Sequence, residues 1–127
     1  IYNYVVNNLT YDYDKAETVE TGYLPDVDET LSTKTGICFD YAALTTAMLR
    51  SCDIPCKLQI GYTGDIKHAW IDVYIRSKGW VTGAVSFNGD SWSLMDPTFD
   101  SSADSDDTEA IQDYIGNADN YTVQFTR

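Results

Sequence analysis

Hydrophobic and polar positions follow two rhythms along this chain, a helical one in the first part and a strand-like one later. Apolar residues recur at helical spacing from Ile1 to Leu9, which predicts a short amphipathic helix over residues 1–8. A wider apolar stripe made of good helix formers covers residues 37–51, and no proline interrupts it before Pro55. This stripe predicts a central helix that packs against a sheet and is partly covered elsewhere.

The segment between these two helices, residues 15–33, is polar and shows little periodicity. It contains Gly22 and Pro25, which favour turns over regular structure. We therefore expect a long surface loop with room for one helical turn, folded over the side of the molecule that carries the candidate active site. Tyr23 and Leu24 are the candidates for anchoring this loop to the core.

From Cys56 onwards the apolar residues recur with the period of two that is typical of β-strands. Strands are predicted at residues 57–62, 68–75, 80–85, 91–96 and 121–125, and a helix at 108–115. The Asn88–Asp90 turn is a strong hairpin signal between two of these strands. One central helix followed by several short strands that pair back on each other predicts an α+β domain with an antiparallel sheet.

Composition limits the classes of partner. A chain of 127 residues with 43% hydrophobic and 13% aromatic residues fits a single domain, residues 1–127, with its own core. Its abrupt start inside a helix is interpreted as that of a fragment of a longer protein. The net charge of −12 argues against nucleic acid or an anionic membrane surface as partner, and no apolar run is long enough to predict membrane insertion. We expect neutral or basic peptide or protein substrates and an extracellular or cell-surface location, with the cytoplasm as the alternative. The oligomeric state is not indicated.

Candidate chemistry centres on Cys38, which falls in the first turn of the central helix. Unpaired N–H groups and the positive end of the helix dipole favour a thiolate at that position. His68 is the only histidine of the chain, and Asp96 follows it before a proline. Cysteine, histidine and aspartate are the components of an activated-nucleophile triad, although each also has a structural interpretation, as a packed thiol, a core histidine and a turn-forming aspartate. Asp72 is the fallback orienter of the histidine.

Three ordered motifs make the chemistry more specific: Gly36–Ala42 opening a helix, His68–Trp70 opening a strand, and Asp96–Thr98 after it. Together they resemble the core of the transglutaminase-like superfamily, over roughly residues 9–98. Residues 52–56 depart from the family pattern, because cysteines and an aspartate replace small residues there. The resemblance implies a papain-like transglutaminase core, with the catalytic cysteine at the N-terminus of a central helix packed on an antiparallel sheet.

The resemblance also implies a mechanism. A Cys38 thiolate, paired with His68 and oriented through Asp96, would attack an amide carbonyl and form a thioester. The backbone N–H of Cys38 would hold the oxyanion, with Tyr11, or Tyr13 behind it, as the candidate second donor. Trp70 is expected to wall the site, or to be a half-buried sheet residue. No cofactor and no metal are implied.

Water would resolve the thioester in a cysteine protease or amidase, and a lysine amine would resolve it in a protein-crosslinking transglutaminase. No lysine-binding channel is evident in the sequence, so hydrolysis is favoured. A non-catalytic surface binding module with the same fold is a further alternative, and zinc binding by the triad residues is a weaker one because the chain has only one histidine.

The count of three cysteines is odd. One interpretation leaves Cys38 free and pairs Cys52 with Cys56 in a small disulfide; the other leaves both as reduced thiols. A zinc site built on that pair lacks further ligands nearby. The acidic residues 100–107 match no EF-hand loop, and solvation is favoured over a calcium site as their explanation.

Overall fold

The computed structural model describes residues 1–87, 92–94 and 121–127, with only the backbone described at Thr63, Ile66, His68, Ser86, Phe87, 92–94 and Tyr121. The helices in these ranges are α1 Tyr2–Asn8, α2 Tyr13–Thr18, α3 Val27–Thr33 and α4 Cys38–Ser51. The strands are β1 Thr10–Tyr11, β2 Thr35–Gly36, β3 Cys56–Thr63, β4 Ile66–Ile75, β5 Gly79–Phe87, β6 Trp92–Leu94 and β7 Tyr121–Thr126. The Asn88–Asp90 turn, the acidic residues 100–107 and the helix predicted at 108–115 lie outside the described residues.

The main sheet has five strands in the order β6-β5-β4-β3-β7, and every neighbouring pair is antiparallel. Helix α4 packs across it, and the core lies between the two. The buried residues of that core are Val5, Leu9, Tyr41, Ala42, Leu44, Cys56, Leu58, Ile60, Ala69, Ile71 and Val85. The predicted α+β architecture, a central helix on an antiparallel sheet, is confirmed. In the described part of the chain, no helix has the length and apolar character needed to cross a membrane.

The two helices predicted from apolar periodicity, α1 and α4, are present, but the long loop predicted at residues 15–33 is wrong. Helices α2 and α3 occupy most of it, and each begins at an aspartate whose carboxylate accepts backbone N–H groups. Asp12 accepts from Lys15 N at 2.9 Å, and Asp26 accepts from Asp28 N and Glu29 N at 3.0 Å. Aspartate is a strong N-cap, so these two residues were the overlooked signal.

A two-residue parallel ladder between β1 and β2 ties the N-terminal segment to the start of α4. Tyr11 lies opposite Gly36, and the N–H of Asp12 donates to the Gly36 carbonyl at 2.9 Å. Strands of two residues carry no recognisable periodicity, which is why the sequence did not predict them. The ladder fixes Tyr11 close to the beginning of the central helix.

A polar network crosses the sheet beneath its surface. The buried carboxylate of Asp72 in β4 accepts from Gln59 Nε2 at 2.9 Å and from the Gly83 backbone N–H at 3.0 Å. The hydroxyl of Thr126 in β7 donates in turn to the side-chain carbonyl of Gln59. Side chains of three strands and a backbone N–H of a fourth are thereby joined, and we refer to Asp72, Gln59, Gly83 and Thr126 as the Asp72 network.

All three cysteines are free thiols, so the disulfide interpretation of Cys52 and Cys56 is wrong. Cys56 begins β3 with its sulfur directed into the core, where it donates to the Thr46 carbonyl at 3.7 Å. Cys52 follows the end of α4 and is exposed. The two side chains therefore belong to different environments, although only four positions separate them.

Candidate active site

Cys38 is the first residue of α4 and is partly buried beside a cavity of about 490 Å³. The helix begins there because Ile37 has an extended backbone, and its N–H donates to the carboxylate of Asp40 at 2.8 Å. This bond is the reciprocal half of a capping box, and it fixes the first turn that carries the sulfur. Asp40 therefore caps the start of α4.

Three parts of the chain enclose the cavity beside Cys38. Residues 19–24, between α2 and α3, form one wall. Ile60 and Ala69 of the main sheet also line the cavity, as do Phe125 of β7 and Arg127. The lining is largely apolar, with Glu20, Lys67 and Arg127 as its charged members. The segment 15–33 is thus folded over the Cys38 side, as predicted.

A compact polar group joins this wall to the start of α4, and it consists of Lys15, Tyr23 and Asp40, which we call the Asp40 cluster. Asp40 is fully buried, and its carboxylate accepts hydrogen bonds from Lys15 Nζ at 3.0 Å and from the Tyr23 hydroxyl. The ammonium group of Lys15 also lies 4.6 Å from the centroid of the Tyr23 ring. Tyr23 is therefore an anchor of its segment, as predicted, whereas Leu24 is 70% exposed and is not.

Gly36 makes room for this arrangement. A Cβ at that position would stand 2.6 Å from Asp40 Cβ and 2.9 Å from one of its carboxylate oxygens, both too close. The glycine of the Gly36–Ala42 motif thus permits the close approach of β2 to the first turn of α4. The pairing of Asp40 with Lys15, 25 positions away, has no local signal in the sequence.

The electrostatic environment of Cys38 differs from the prediction. Burial raises the pKa of the Cys38 thiol above its ordinary value, and the negative charge of Asp40 raises it further. The backbone N–H groups at the helix start and the ammonium group of Lys67 act in the opposite direction, as helix electrostatics predicts, but they are outweighed. The helix N-terminus alone does not make this cysteine a thiolate.

Of the other two predicted triad residues, the structure describes only the backbone of His68. His68 lies in β4, with its backbone opposite Gly61, and its side chain is not described. Its neighbours Lys67 and Ala69 both line the cavity beside Cys38. Asp96 lies outside the described residues, so the Cys38–His68–Asp96 geometry stays a prediction.

Asp72, the alternative candidate for orienting His68, has hydrogen-bond partners within the sheet. Both carboxylate oxygens of Asp72 accept hydrogen bonds, one from the Gln59 amide and one from the Gly83 backbone. These contacts give Asp72 a structural role in the sheet.

The aromatic residues proposed for the site occupy three different environments. Tyr11 lines the cavity and makes an edge contact with Tyr13, with their ring centroids 4.9 Å apart. Tyr13 is 62% exposed. Trp70 is fully buried within the sheet, opposite Gln59, and is not among the described residues that line the cavity. Tyr11 is thus the one of the three that the described cavity places near Cys38.

Comparisons with known proteins identify the same family as the motifs. A model of the transglutaminase-like superfamily matches residues 1–97, most of the chain. The UPF0252 protein MJ1282 of Methanocaldococcus jannaschii is 42% identical over 59 residues, which cover 42% of this chain and 17% of that protein. The uncharacterized protein YebA of Bacillus subtilis is 30% identical over 95 residues, 60% of this chain and 13% of its own length.

Two solved structures resemble the fold. A candidate cysteine protease from Cytophaga hutchinsonii superposes with a TM-score of 0.51 at 25% identity, covering 70% of this chain and 29% of that one. A TGase superposes with a TM-score of 0.55 at 18% identity, covering 90% of this chain and 30% of that one. The chain therefore spans less than a third of each of these four proteins.

Proposed function

The chain belongs to the transglutaminase-like superfamily, and from this premise we propose that Cys38 is the nucleophile of a thiol-dependent acyl-group chemistry on amide bonds. The observation that carries the proposal is the position of Cys38. It opens a buried helix whose first turn is fixed by Asp40, and its side chain contributes to a cavity of about 490 Å³. An inert core cysteine, such as Cys56, has neither the helix start nor the cavity.

In the proposed reaction the Cys38 sulfur attacks an amide carbonyl carbon, and His68 takes the thiol proton. The tetrahedral intermediate collapses to a thioester as the C–N bond breaks, and the imidazolium of His68 protonates the leaving amine. Asp96 would hold the imidazole in the required tautomer. Support for His68 comes from the match to the superfamily over residues 1–97 and from its strand, since β4 contributes to the lining of the cavity beside Cys38.

Because Cys38 is partly buried, we expect its thiolate to form only with the help of His68. Because burial and Asp40 raise the pKa of the Cys38 thiol, the free thiolate is scarce near neutral pH. A cation close to the sulfur favours the charged form. The ammonium group of Lys67 on β4 acts in that direction but is outweighed, and we propose that the imidazolium of His68 supplies the rest. Without His68, we expect Cys38 to react as a slow, buried thiol.

The oxyanion would be held by the Cys38 backbone N–H and by the phenol of Tyr11, which lines the same cavity. Tyr13 contacts the ring of Tyr11 and supports its orientation. Tyr41 lies on the other side, with its ring centroid 6.2 Å from that of Tyr11, and burial raises the pKa of Tyr41 to about 12, so it stays neutral. Trp70, buried in β4, would shape the site from within the sheet rather than from the cavity lining.

We favour hydrolysis of peptides or proteins as the outcome, with an extracellular or cell-surface location suggested by the acidic surface. The alternative is transfer to a lysine amine, and the two similar structures, a candidate cysteine protease and a TGase, represent both outcomes. Casein incubated with a fluorescent amine separates them, since dye incorporation reports transfer and new peptide ends report hydrolysis. Absence of both with active control enzymes would favour the non-catalytic binding module.

Thiol labelling tests the nucleophile without a known substrate. Trypsin releases Cys38 in the peptide 35–50 and Cys52 with Cys56 in 51–57, so each site can be quantified by mass spectrometry. At mildly acidic pH we expect iodoacetamide to modify Cys38 faster than the exposed Cys52, and His68→Ala to abolish that advantage. Equal labelling of the two peptides, or an unchanged rate in His68→Ala, would contradict the proposed ion pair. Cys38→Ser should abolish any activity on casein, and Cys52→Ser is the matched control.

A further inference from the structure

We infer that Lys15, Tyr23 and Asp40 are positioning residues that hold the segment 19–24 as a wall of the cavity beside Cys38, and so limit the size of the groups that reach its sulfur. The inference rests on the proposed function only in taking Cys38 as the point of attack. In this arrangement the position of Tyr23 limits the size of the group that can reach the sulfur, and the Tyr23 hydroxyl is held by its hydrogen bond to Asp40.

The acceptor is fixed because the Asp40 carboxylate is fully buried and bonded from three separate segments. The N–H of Ile37 donates to it from the start of α4, Lys15 Nζ from α2, and the Tyr23 hydroxyl from the wall itself. Gly36 packs against its Cβ so closely that no side chain could be added there. The carboxylate therefore has no freedom to turn away, and the wall is fastened to the helix turn that carries the nucleophile.

Beyond Val19, which continues directly from α2, Tyr23 is the one residue of the segment that is not exposed. Gly22 adopts a φ of +93° with open space where a Cβ would stand, and Leu24 is 70% exposed. The Tyr23 backbone N–H closes a turn within the segment, onto Glu20, at 3.2 Å. The inward contacts centre on the Tyr23 side chain, which meets Phe39 edge-on with their ring centroids 6.3 Å apart.

The position of the wall and the access to the Cys38 sulfur are therefore both set by Tyr23. Phe39 and Cys38 are adjacent on α4 and both line the cavity, together with Tyr23. If the Tyr23 hydroxyl loses its acceptor, the wall can move outward while the helix start, still capped through Ile37, stays in place. We expect bulky groups to gain access to the Cys38 sulfur under those conditions, and small groups to be affected less.

The test compares two thiol reagents of different size. Tyr23→Phe keeps the ring and its contact with Phe39 but removes the hydroxyl, and Tyr4→Phe on α1 is the matched control. Alkylation of Cys38 by iodoacetamide and by fluorescein maleimide is followed on the tryptic peptide 35–50. The thiolate is the form that attacks both reagents, so the fraction of thiolate, which the pKa of the thiol sets, cancels from the ratio of the two rates.

We expect the maleimide-to-iodoacetamide ratio to rise about tenfold in Tyr23→Phe, as for loss of a hydrogen bond to a charged group, and to stay unchanged in Tyr4→Phe. Lys15→Met should raise the ratio in the same direction. Labelling of the buried Cys56 reports global opening, and it should not change. An unchanged ratio in folded Tyr23→Phe protein would overturn the inference, as would a rise matched by equal labelling of Cys56. Failure of the proposed function would appear separately, as slow wild-type labelling of Cys38 with the ratio still responding to Tyr23→Phe.

Discussion

Two buried aspartates of this molecule obtain their hydrogen-bond donors from different parts of the structure. Asp40 is fully buried at the start of α4 and Asp72 is 8% exposed in the middle of the sheet. Each carboxylate is fully hydrogen-bonded, as a buried charge must be. Their donors differ. Asp72 is bonded by an amide and a backbone N–H of neighbouring strands, whereas Asp40 is bonded by the Ile37 N–H of its own helix start and by an ammonium and a phenol from residues 15–33.

The difference separates a structural role from a positioning role. The donors within the sheet are held in place by the hydrogen bonds between the strands. The Asp72 network therefore stabilises the sheet and does not set the position of a surface segment. The donors Lys15 and Tyr23 come from a segment that the sheet does not hold, so the Asp40 cluster decides where that segment lies. Mutations in the two groups should therefore act on different observables, stability for Asp72 and access to Cys38 for Asp40.

The largest effect on stability is expected for Asp72→Ala. The substitution leaves the Gln59 amide and the Gly83 N–H buried without their acceptor, and we expect the free energy of unfolding to fall by about 2–4 kcal/mol. Urea denaturation followed by tryptophan fluorescence would measure it. Asp65→Ala in the exposed β3–β4 turn is the control, expected within about 0.5 kcal/mol of the wild type. A rise in the maleimide-to-iodoacetamide ratio of folded Asp72→Ala protein would break the comparison.

Asp40→Asn should cost less stability and change the site more. The amide oxygen can still accept from Ile37 N, and Lys15, whose side chain is 31% exposed, can turn to solvent. We therefore expect a loss of about 1–2 kcal/mol by the same denaturation experiment, together with a raised reagent ratio at Cys38. A stability loss as large as that of Asp72→Ala with no change in the ratio would assign Asp40 a purely structural role.

The same contrast explains what the sequence could predict. Periodic apolar residues located α1, α4 and the strands of the sheet, because burial repeats with the period of the element. The motif around Cys38 predicted the family, which the family model confirms, and the nucleophilic role of Cys38 stays a proposal. The link between Lys15 and Asp40 was not predictable, because it joins side chains 25 positions apart through tertiary packing alone. Helices α2 and α3 are marked in the sequence by their capping aspartates instead of by apolar periodicity, because each is only six or seven residues long.

A subtler consequence of the Asp40 cluster concerns the pH dependence of labelling. Burial is the main cause of the raised pKa of the Cys38 thiol, and the negative charge of Asp40 adds to it. Removing that charge in Asp40→Asn should lower the pKa of Cys38, so the iodoacetamide rate should rise at a lower pH than in the wild type. Asp72→Ala should leave the midpoint unchanged. A midpoint that moves upward in Asp40→Asn would contradict this assignment of charges.

The smallest expected effect is that of Lys67→Met, which probes the sheet side of the cavity instead of the Asp40 side. Burial raises the pKa of the Cys38 thiol, and the Lys67 ammonium opposes that effect less strongly than Asp40 reinforces it. Lys67 is exposed on β4, so water screens its charge, and its removal should raise the pKa of Cys38 only slightly. The iodoacetamide midpoint should thus move upward, opposite to the shift in Asp40→Asn, and the shift should shrink in high salt. Lys78→Met, at an exposed turn position, is the matched control and should leave the midpoint where it is. If both lysine variants gave the same shift, net charge rather than position would govern the thiol, and the contrast between the two sides of the cavity would not hold.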